Sequence, residues 1–470
     1  MKVLASKLEK FFKIKERGTT ITKELLGGLT IFLAMVYVLP VNAGMLSQTG
    51  MSFAAVFAAT ALAAAIATFV MGLVANYPVG LASGMGINAF FTFTVVGGVG
   101  YGLGFSWQEA LAAVLISGVI FLVISVTGLR RIIINAIPKN LKLAVGAGIG
   151  FFIAFIGLKN AGIIVNSPAT FVQLGNFAHP TVLLGLFGII LVFLLFALNK
   201  KVSRFSIIVS ILATGIIGVL IGVIFPVYKD FMPVLGGANL GQVGDIALTF
   251  GAAFGAIPSL LSNPLAYAII FTFLFVDFFD TAGTLVAVGH DAGLIDENGE
   301  LIDGNKALLA DATGTIVGAI LGTSTVTSYI ESSTGIQQGA RTGLSAVVVG
   351  LLFIVSLLFY PLFSLVGGIE VSAGVYFSPV TAMALVYVGT LMVSSLKEID
   401  WKDGIVVAST FITIIMMILA FSIAEGIAFG FIFYVLMMAV TSRRKEVSPV
   451  MYILTILFIL NFIIKFTILG

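Results

Sequence analysis

Two aspartates stand among phenylalanines and valines in "LFVDFFDTAGTLVAVGHD", residues 274–291. Asp277 and Asp280 are spaced i, i+3, which puts both carboxylates on one face of a single helix. Such a pair could be a catalytic dyad, a binding site inside an apolar medium, or a helix end that only looks buried. Two further stretches add polar groups: "YPVGLASGMGINAFFTF" carries Asn88, and "GTSTVTSYIESSTGIQQG" carries Glu331. Of the 21 acidic residues, Asp277, Asp280 and Glu331 are the ones expected deep within apolar segments, the rest falling in loops or near segment ends. An acid at mid-bilayer costs about 2.5–3.5 kcal/mol on insertion scales, so three of them need a cavity or partners. Glu331 is expected to start a half-helix, where the dipole and free N–H groups favour a carboxylate. Asn88 has two readings of equal weight: a buried amide offering donor and acceptor to a ligand, or a cap for a half-helix beginning near Ala89. Phe90, Phe91, Phe278 and Phe279 flank these groups and could sandwich a planar heterocycle. Phe279, between the two aspartates, is the ring assigned to the site, although phenylalanine at helical spacing is usually packing.

The elements that position these residues follow from composition. The 470 residues are 59% apolar and 10% charged, with a mean hydropathy of +1.17. A soluble domain carries about 25% charged residues, and apolar runs long enough to cross ~30 Å of hydrocarbon recur from end to end. The chain reads as an all-α polytopic membrane protein. It has no cysteine, which excludes disulfides, thiolate nucleophiles and zinc–thiolate or iron–sulfur sites, and two histidines, which argue against a His-based metal site. No cofactor or metal is expected. The net charge of +3 is spread over short loops and serves topology rather than nucleic-acid binding.

A basic amphipathic lead-in (1–24) precedes the first span, which reads as retained rather than as a cleaved signal. Apolar spans are expected at 25–46, 54–75, 81–98, 108–128, 140–160, 181–198 and 204–226. After a polar, glycine-rich linker (227–262) come 264–289, 307–321, 323–339, 342–366, 373–395, 404–421 and 424–441. With the N-terminus inside and each span crossing once, all Lys and Arg except Lys159, Lys229 and Lys465 fall in inner loops, as the positive-inside rule requires. The apolar run 449–468, within the segment 442–470, has three readings: a span, an interfacial helix or a segment packed on the bundle. Two sets of seven around an outer linker are the pattern of an inverted repeat, 25–226 against 263–441. "VNAGML" (41–46) and "DTAGTL" (280–285) sit at corresponding places in the first span of each half. The third span of each half is short, rich in small and hydroxylated residues, and expected to run from an extended segment into a half-helix. Paired broken spans mark a transporter's binding site, because non-helical backbone at that depth must be buried in protein or line a cavity.

Other motifs are rejected. "GVGYG" (98–102) resembles a potassium filter but lacks the several copies a filter needs. "FFDTAGT" lacks the Asp-Thr/Ser-Gly form of aspartic proteases, and the Gly-x-Gly-Asp element of intramembrane ones is missing. "HDAGLIDENGELIDGNK" (290–306) departs from the twelve-residue Ca²⁺ loop and reads as a solvated inner loop.

Together "DFFDTAGTL", "SGMGINAFF" and "SYIESSTGI" closely resemble the AzgA-like purine permeases, a branch of the nucleobase–cation symporter-2 (xanthine/uracil permease) family. The resemblance runs from the first span to about residue 441. It implies a fold similar to the uracil permease: a 7+7 inverted repeat with a core domain (approximately 25–128 and 263–366) and a gate domain (approximately 140–226 and 373–441). Spans 3 and 10 would carry short strands that meet between the domains. The implied substrates are hypoxanthine, guanine and adenine, taken up with protons across the cell membrane, with a cytoplasmic N-terminus and a homodimer as in relatives of this fold. By the same resemblance Asn88, Asp277, Glu331 and Tyr329 contact the base, and Asp280, Glu331 and Asp277 are the proton-coupling candidates. Other branches carry Glu in the eighth span, spaced four from a second polar residue, so the division of roles between Asp277 and Asp280 does not transfer. The competing readings are a same-fold anion transporter of the sulfate or bicarbonate type, disfavoured by three acids, and an intramembrane aspartyl hydrolase, disfavoured by its missing motifs.

Overall fold

Polar side chains open the membrane helices. Thr20, Ser52, Thr342, Asp403 and Ser422 each accept a backbone N–H two or three residues on, satisfying a donor that a helix start leaves free. The computed structural model describes residues 2–97, 102–127, 133, 136–198, 200–203, 205–234, 239–296, 301–363, 368–372 and 375–469. The filter-like motif at 98–102, save its last residue, and positions 297–300 of the inner loop lie outside the described residues.

The first half runs as span 1 (Ile21–Met35, then Val38–Leu46), span 2 (Phe53–Val70, ending in a π-helical turn, Met71–Ala75) and the broken span 3. Span 3 is a strand β1 (Leu81–Ser83), a short helix Met85–Ala89 and a π-helical end Phe90–Val96. Span 4 (Trp107–Thr127), span 5 (Lys139–Asn160), span 6 (Pro180–Ala197) and span 7 (Ser206–Ile224) complete it, with a hairpin of β2 (Ile164–Ser167) and β3 (Phe171–Leu174) between spans 5 and 6. The second half has span 8 (Leu265–Ala292), span 9 (Gly304–Leu321) and the broken span 10, a strand β4 (Val326–Ser328) followed by the helix Ser332–Ile336. Span 11 (Gly343–Ser356), a hairpin of β5 (Ile369–Ser372) and β6 (Val375–Phe377), span 12 (Pro379–Val393), span 13 (Gly404–Leu419) and span 14 (Ile423–Ala439) follow.

The packing has the symmetry of an inverted repeat. Span 4 lies on span 9 as span 11 lies on span 2, and span 11 lies on span 1 as span 4 lies on span 8. Spans 13 and 14 cover span 5 as spans 6 and 7 cover span 12, while spans 5 and 12 pack on each other. That last crossing is close because it is made of glycine: a Cβ on Gly150 or Gly389 would run into the other's carbonyl oxygen. Buried polar pairs repeat the symmetry. The Asn42 amide donates to Thr60 Oγ1 at 2.7 Å, joining spans 1 and 2; Thr281 Oγ1 donates to Asp311 Oδ2 at 2.6 Å, joining spans 8 and 9 at the matching positions. The correspondence of "VNAGML" with "DTAGTL" is thus a structural one.

Three expectations need correction. The linker is apolar and helical rather than polar: Leu240–Ser262 is itself one of ten helices, among the described residues, long and apolar enough to cross a membrane. It is made of a 3-10 helix (Leu240–Leu248) and two short α-helices (Ala252–Gly255 and Ile257–Ser262), laid on spans 2 and 4. Thr249 and Gly251 tie it to the end of span 9 through the carbonyls of Leu321 and Ile320. Glu24, read as a span-end acid, is fully buried and accepts the backbone N–H groups of Arg341 (2.7 Å), Thr342 (3.1 Å) and Ser345 (3.2 Å). It caps the start of span 11 from another helix, a partner that a survey along one span does not reveal. Asp311 is the third correction, taken up below. The C-terminal helix Pro449–Leu469 packs on spans 8 and 14, with Phe458 against Phe271, Phe275 and Phe431.

Candidate functional site

The two broken spans meet where the sequence put them. β1 and β4 pair antiparallel, Leu81 opposite Ser328, Ala82 opposite Thr327 and Ser83 opposite Val326. Further bonds extend the ladder at both ends: Gly84 N–H to Thr325 O (3.0 Å) and Tyr329 N–H to Gly80 O (3.0 Å). Three-residue strands suffice here because Gly and Pro precede β1 and hydroxylated residues surround β4, so neither stretch competes as a helix. The backbone polar groups that break the helices are satisfied by each other, which is the condition for non-helical chain at this depth.

Every acid of the site is tied to this strand pair or its flanks. Asp277, almost completely buried, accepts a hydrogen bond from Thr315 Oγ1 on span 9 at 3.0 Å, and that threonine also accepts the N–H of Val326 in β4. Asp280, only partly buried, faces Thr327 of β4 with 3.3 Å between Thr327 Oγ1 and Asp280 Oδ2. Glu331 is buried and accepts from the Tyr37 hydroxyl of span 1 at 2.8 Å. It stands at the start of the helix Ser332–Ile336, as expected, but its carboxylate caps nothing there; the phenol takes it instead. Tyr329 donates to the carbonyl oxygen of Ser83 in β1.

Asn88 settles one of its two readings. The helix starts at Met85 after Gly84, and the Asn88 N–H bonds the Gly84 carbonyl at 2.9 Å, so Asn88 lies inside the half-helix and does not cap it. Its Oδ1 accepts from Ser83 Oγ (2.9 Å) and from Ser324 Oγ, binding spans 3 and 10 together. Its Nδ2 is buried with no hydrogen-bond partner among the described residues, an unusual state for a fully buried donor. The Phe279 ring packs on Phe275 (4.9 Å between centroids) and on Phe431 of span 14 (5.6 Å). Phe90 stacks edge-on against Phe273 at 5.0 Å.

Asp311 is the residue the sequence reading passed over. It is fully buried at the middle of span 9 and accepts from Thr281 (2.6 Å) and Ser328 (3.4 Å). Spans 8 and 9 each carry an Asp-x-x-x-Thr stretch, Asp277–Thr281 and Asp311–Thr315, and run antiparallel, so each aspartate receives the hydroxyl of the other helix. That repeated spacing was the available signal. Tyr37 and Thr315 were also missed; a single hydroxyl on an apolar helix gives no hint of its partner.

A membrane-embedded, inverted-repeat bundle with a polar site between two broken spans defines a transporter. The same fold is found in the transmembrane domain of the cyanobacterial bicarbonate transporter BicA (TM-score 0.54, 14% identity, covering 86% of this chain and 97% of that one). It is found also in murine Slc26a9, an anion transporter (TM-score 0.56, 12% identity, covering 89% and 68%). A sequence model of a permease family, Xan_ur_permease, matches residues 22–429, and the chain belongs to that family. Among its relatives are the guanine/hypoxanthine permease PbuG of Bacillus subtilis, 46% identical over 97% of this chain and 99% of the relative, and the adenine permease AdeP of Escherichia coli, 39% identical over 97% and 96%. The chain is a membrane transporter and not an enzyme.

Proposed function

We propose that this protein carries purine nucleobases (hypoxanthine, guanine and adenine) into the cell together with protons, from the cell membrane, with its N-terminus in the cytoplasm. Relatives with nearly full-length matches are named for guanine, hypoxanthine and adenine. The observation that carries the site assignment is the convergence of Asp277, Asp280, Glu331 and Asn88 on one pair of broken spans. A carboxylate can accept two adjacent N–H donors of a purine edge, and the partnerless Asn88 amide supplies a donor for a ring nitrogen or oxo group. Glu331 and Asp277 hold the base edge with Asn88 and Tyr329 beside them, and one of the acids Asp280, Glu331 and Asp277 carries the proton. Burying a site of this kind also gives selectivity, since an analogue without the donors leaves a buried acid unpaired. Spans 1–4 and 8–11 form the core that holds the base, and spans 5–7 and 12–14 the gate against which it moves. The protein functions as a homodimer in this reading.

Uptake of labelled hypoxanthine by cells expressing Glu331→Gln or Asp277→Asn at parental surface levels tests the reading. The expected result is a loss of at least tenfold in uptake, the scale of one well-placed hydrogen bond to a charged group. Competition with unlabelled adenine, uracil and sulfate, repeated across external pH, separates purine from pyrimidine and anion, and tests the proton. Unimpaired uptake in both variants removes the site; competition by sulfate in place of purines removes the substrate.

A further inference from the structure

Lys159 departs from the inner-loop pattern of basic residues, and nothing in the base site uses it. It lies at the end of span 5 with its side chain exposed, its Nζ 4.4 Å from the centroid of the Phe93 ring and 5.1 Å from that of Phe421. Phe93 belongs to the π-helical end of the broken span 3, and Phe421 to the turn between spans 13 and 14. Phe421 is a hub. The rings of Phe93, Phe152 and Phe155 meet it edge to face at 5.7, 5.3 and 6.0 Å, a geometry aromatic quadrupoles favour, as they favour a cation at the ring face. Its backbone has φ +50, a conformation bulky L-residues rarely adopt and one that persists only where the surroundings enforce it.

A crevice of about 30 Å³ runs beside this cluster, lined by Phe90, Thr94, Thr272, Phe275, Ser422 and Glu425 among others. Thr94 and Ser422 are the chain neighbours of Phe93 and Phe421; Phe90 and Phe275 lie two residues from Asn88 and Asp277. The crevice touches the ring cluster through Thr94 and Ser422 and is walled on its far side by Phe458, Asn461 and Phe462 of the C-terminal helix. The ends of spans 3, 5 and 13 all lie on the side opposite the basic loops.

Resting on the transport reading above, we propose that Phe421, seated among Phe93, Phe152 and Lys159, is the outer closure of the substrate route. Its contacts join the core's broken span to the gate's spans 5, 13 and 14 at the outer end. Separating them opens the crevice to the outside and offers an entering planar base the aromatic faces released. Lys159 and Phe421 are positioning residues: neither touches the base in its site.

Because the chain lacks cysteine, Thr94→Cys places a single thiol in the crevice. The measurement is its rate of reaction with a membrane-impermeant maleimide added outside intact cells. In the otherwise unaltered protein the rate is expected to be slow; Phe421→Ala raises it on the order of tenfold, as removal of several ring contacts should. Lys159→Met raises it less, and Lys159→Arg restores the slow rate. Phe93→Leu gives the same increase and stands in where Phe421→Ala does not accumulate. Equal rates in all variants, or labelling from the inside only, would overturn the closure. Labelling needs no substrate, so faster labelling without purine uptake would overturn the substrate and leave the closure standing, while purine uptake with unchanged rates would do the reverse.

Discussion

Spans 8 and 9 keep two aspartates in the membrane by exchanging hydroxyls: Thr315 serves Asp277 and Thr281 serves Asp311. The two halves of this exchange are expected to fail differently. Thr315 touches an acid assigned to the base, so Thr315→Val, near-isosteric, should raise the KM for hypoxanthine about tenfold as Asp277 loses the donor that orients it. Thr281 touches Asp311, which is not among the acids assigned to the base, so Thr281→Val should leave KM near its parental value and lower stability by about 1–3 kcal/mol, the cost of an unsatisfied buried group. Thermal melts in detergent beside uptake kinetics would read both, and equal KM values in the two variants would dissolve the distinction. At this scale the sequence was legible where an acid stood out against long apolar side chains, as Asp277 does, or sat in a visibly broken span, as Glu331 does. Asp311 hid among alanines and glycines, where apolar contrast is low, and its partners became visible only once two antiparallel helices were set side by side.

At the scale of elements, the breaks in spans 3 and 10 could be read because glycine, proline and β-branched hydroxyl residues make poor helix starts. Their pairing register could not: Ser83 and Val326 are far apart in the chain, and only the closed bundle brings them opposite. The linker was misread for a related reason, since its glycines suggested a loop while its apolar side chains were destined to lie on spans 2 and 4. Loop charges also fasten elements. Asp403 caps span 13 and accepts from Arg443 Nη1, just beyond span 14, at 2.5 Å. That hydrogen bond is the main reason the Asp403 carboxyl is held below its ordinary range. A carboxyl depressed in the folded state contributes stability above its unfolded pKa of about 4, and the contribution is lost as the pH falls through the folded value. Lowering the pH from 7 to 3 should therefore cost the parental protein more in melting temperature than Arg443→Ala, which has already lost the pair. Parallel melting curves for the two proteins over that range would show that the link carries no stability.

For the whole molecule, the inverted repeat explains why the site lies where it does. Spans 5 and 12 cross on glycine backbones at the pseudo-two-fold axis, and spans 3 and 10 meet as strands about the same symmetry. The first contact is close-packed, with no room to slide; the strand pair is equally fixed, by backbone hydrogen bonds. In the proposed core-and-gate reading, motion then occurs between the two assemblies, at seams made of rings and single side chains. Cysteine pairs introduced into the cysteine-free chain test this division. Ala161→Cys with Gly185→Cys lies within the gate, where a Cβ on Gly185 would fall 3.0 Å from that of Ala161, and joining them should leave hypoxanthine uptake largely intact. Thr94→Cys with Ser422→Cys bridges the crevice between core and gate; a short reducible bis-thiol reagent should abolish uptake there, and reduction should restore it. Uptake that survives the second link as well as the first would mean that the two assemblies do not move against each other, and that the base crosses by some local rearrangement around β1 and β4.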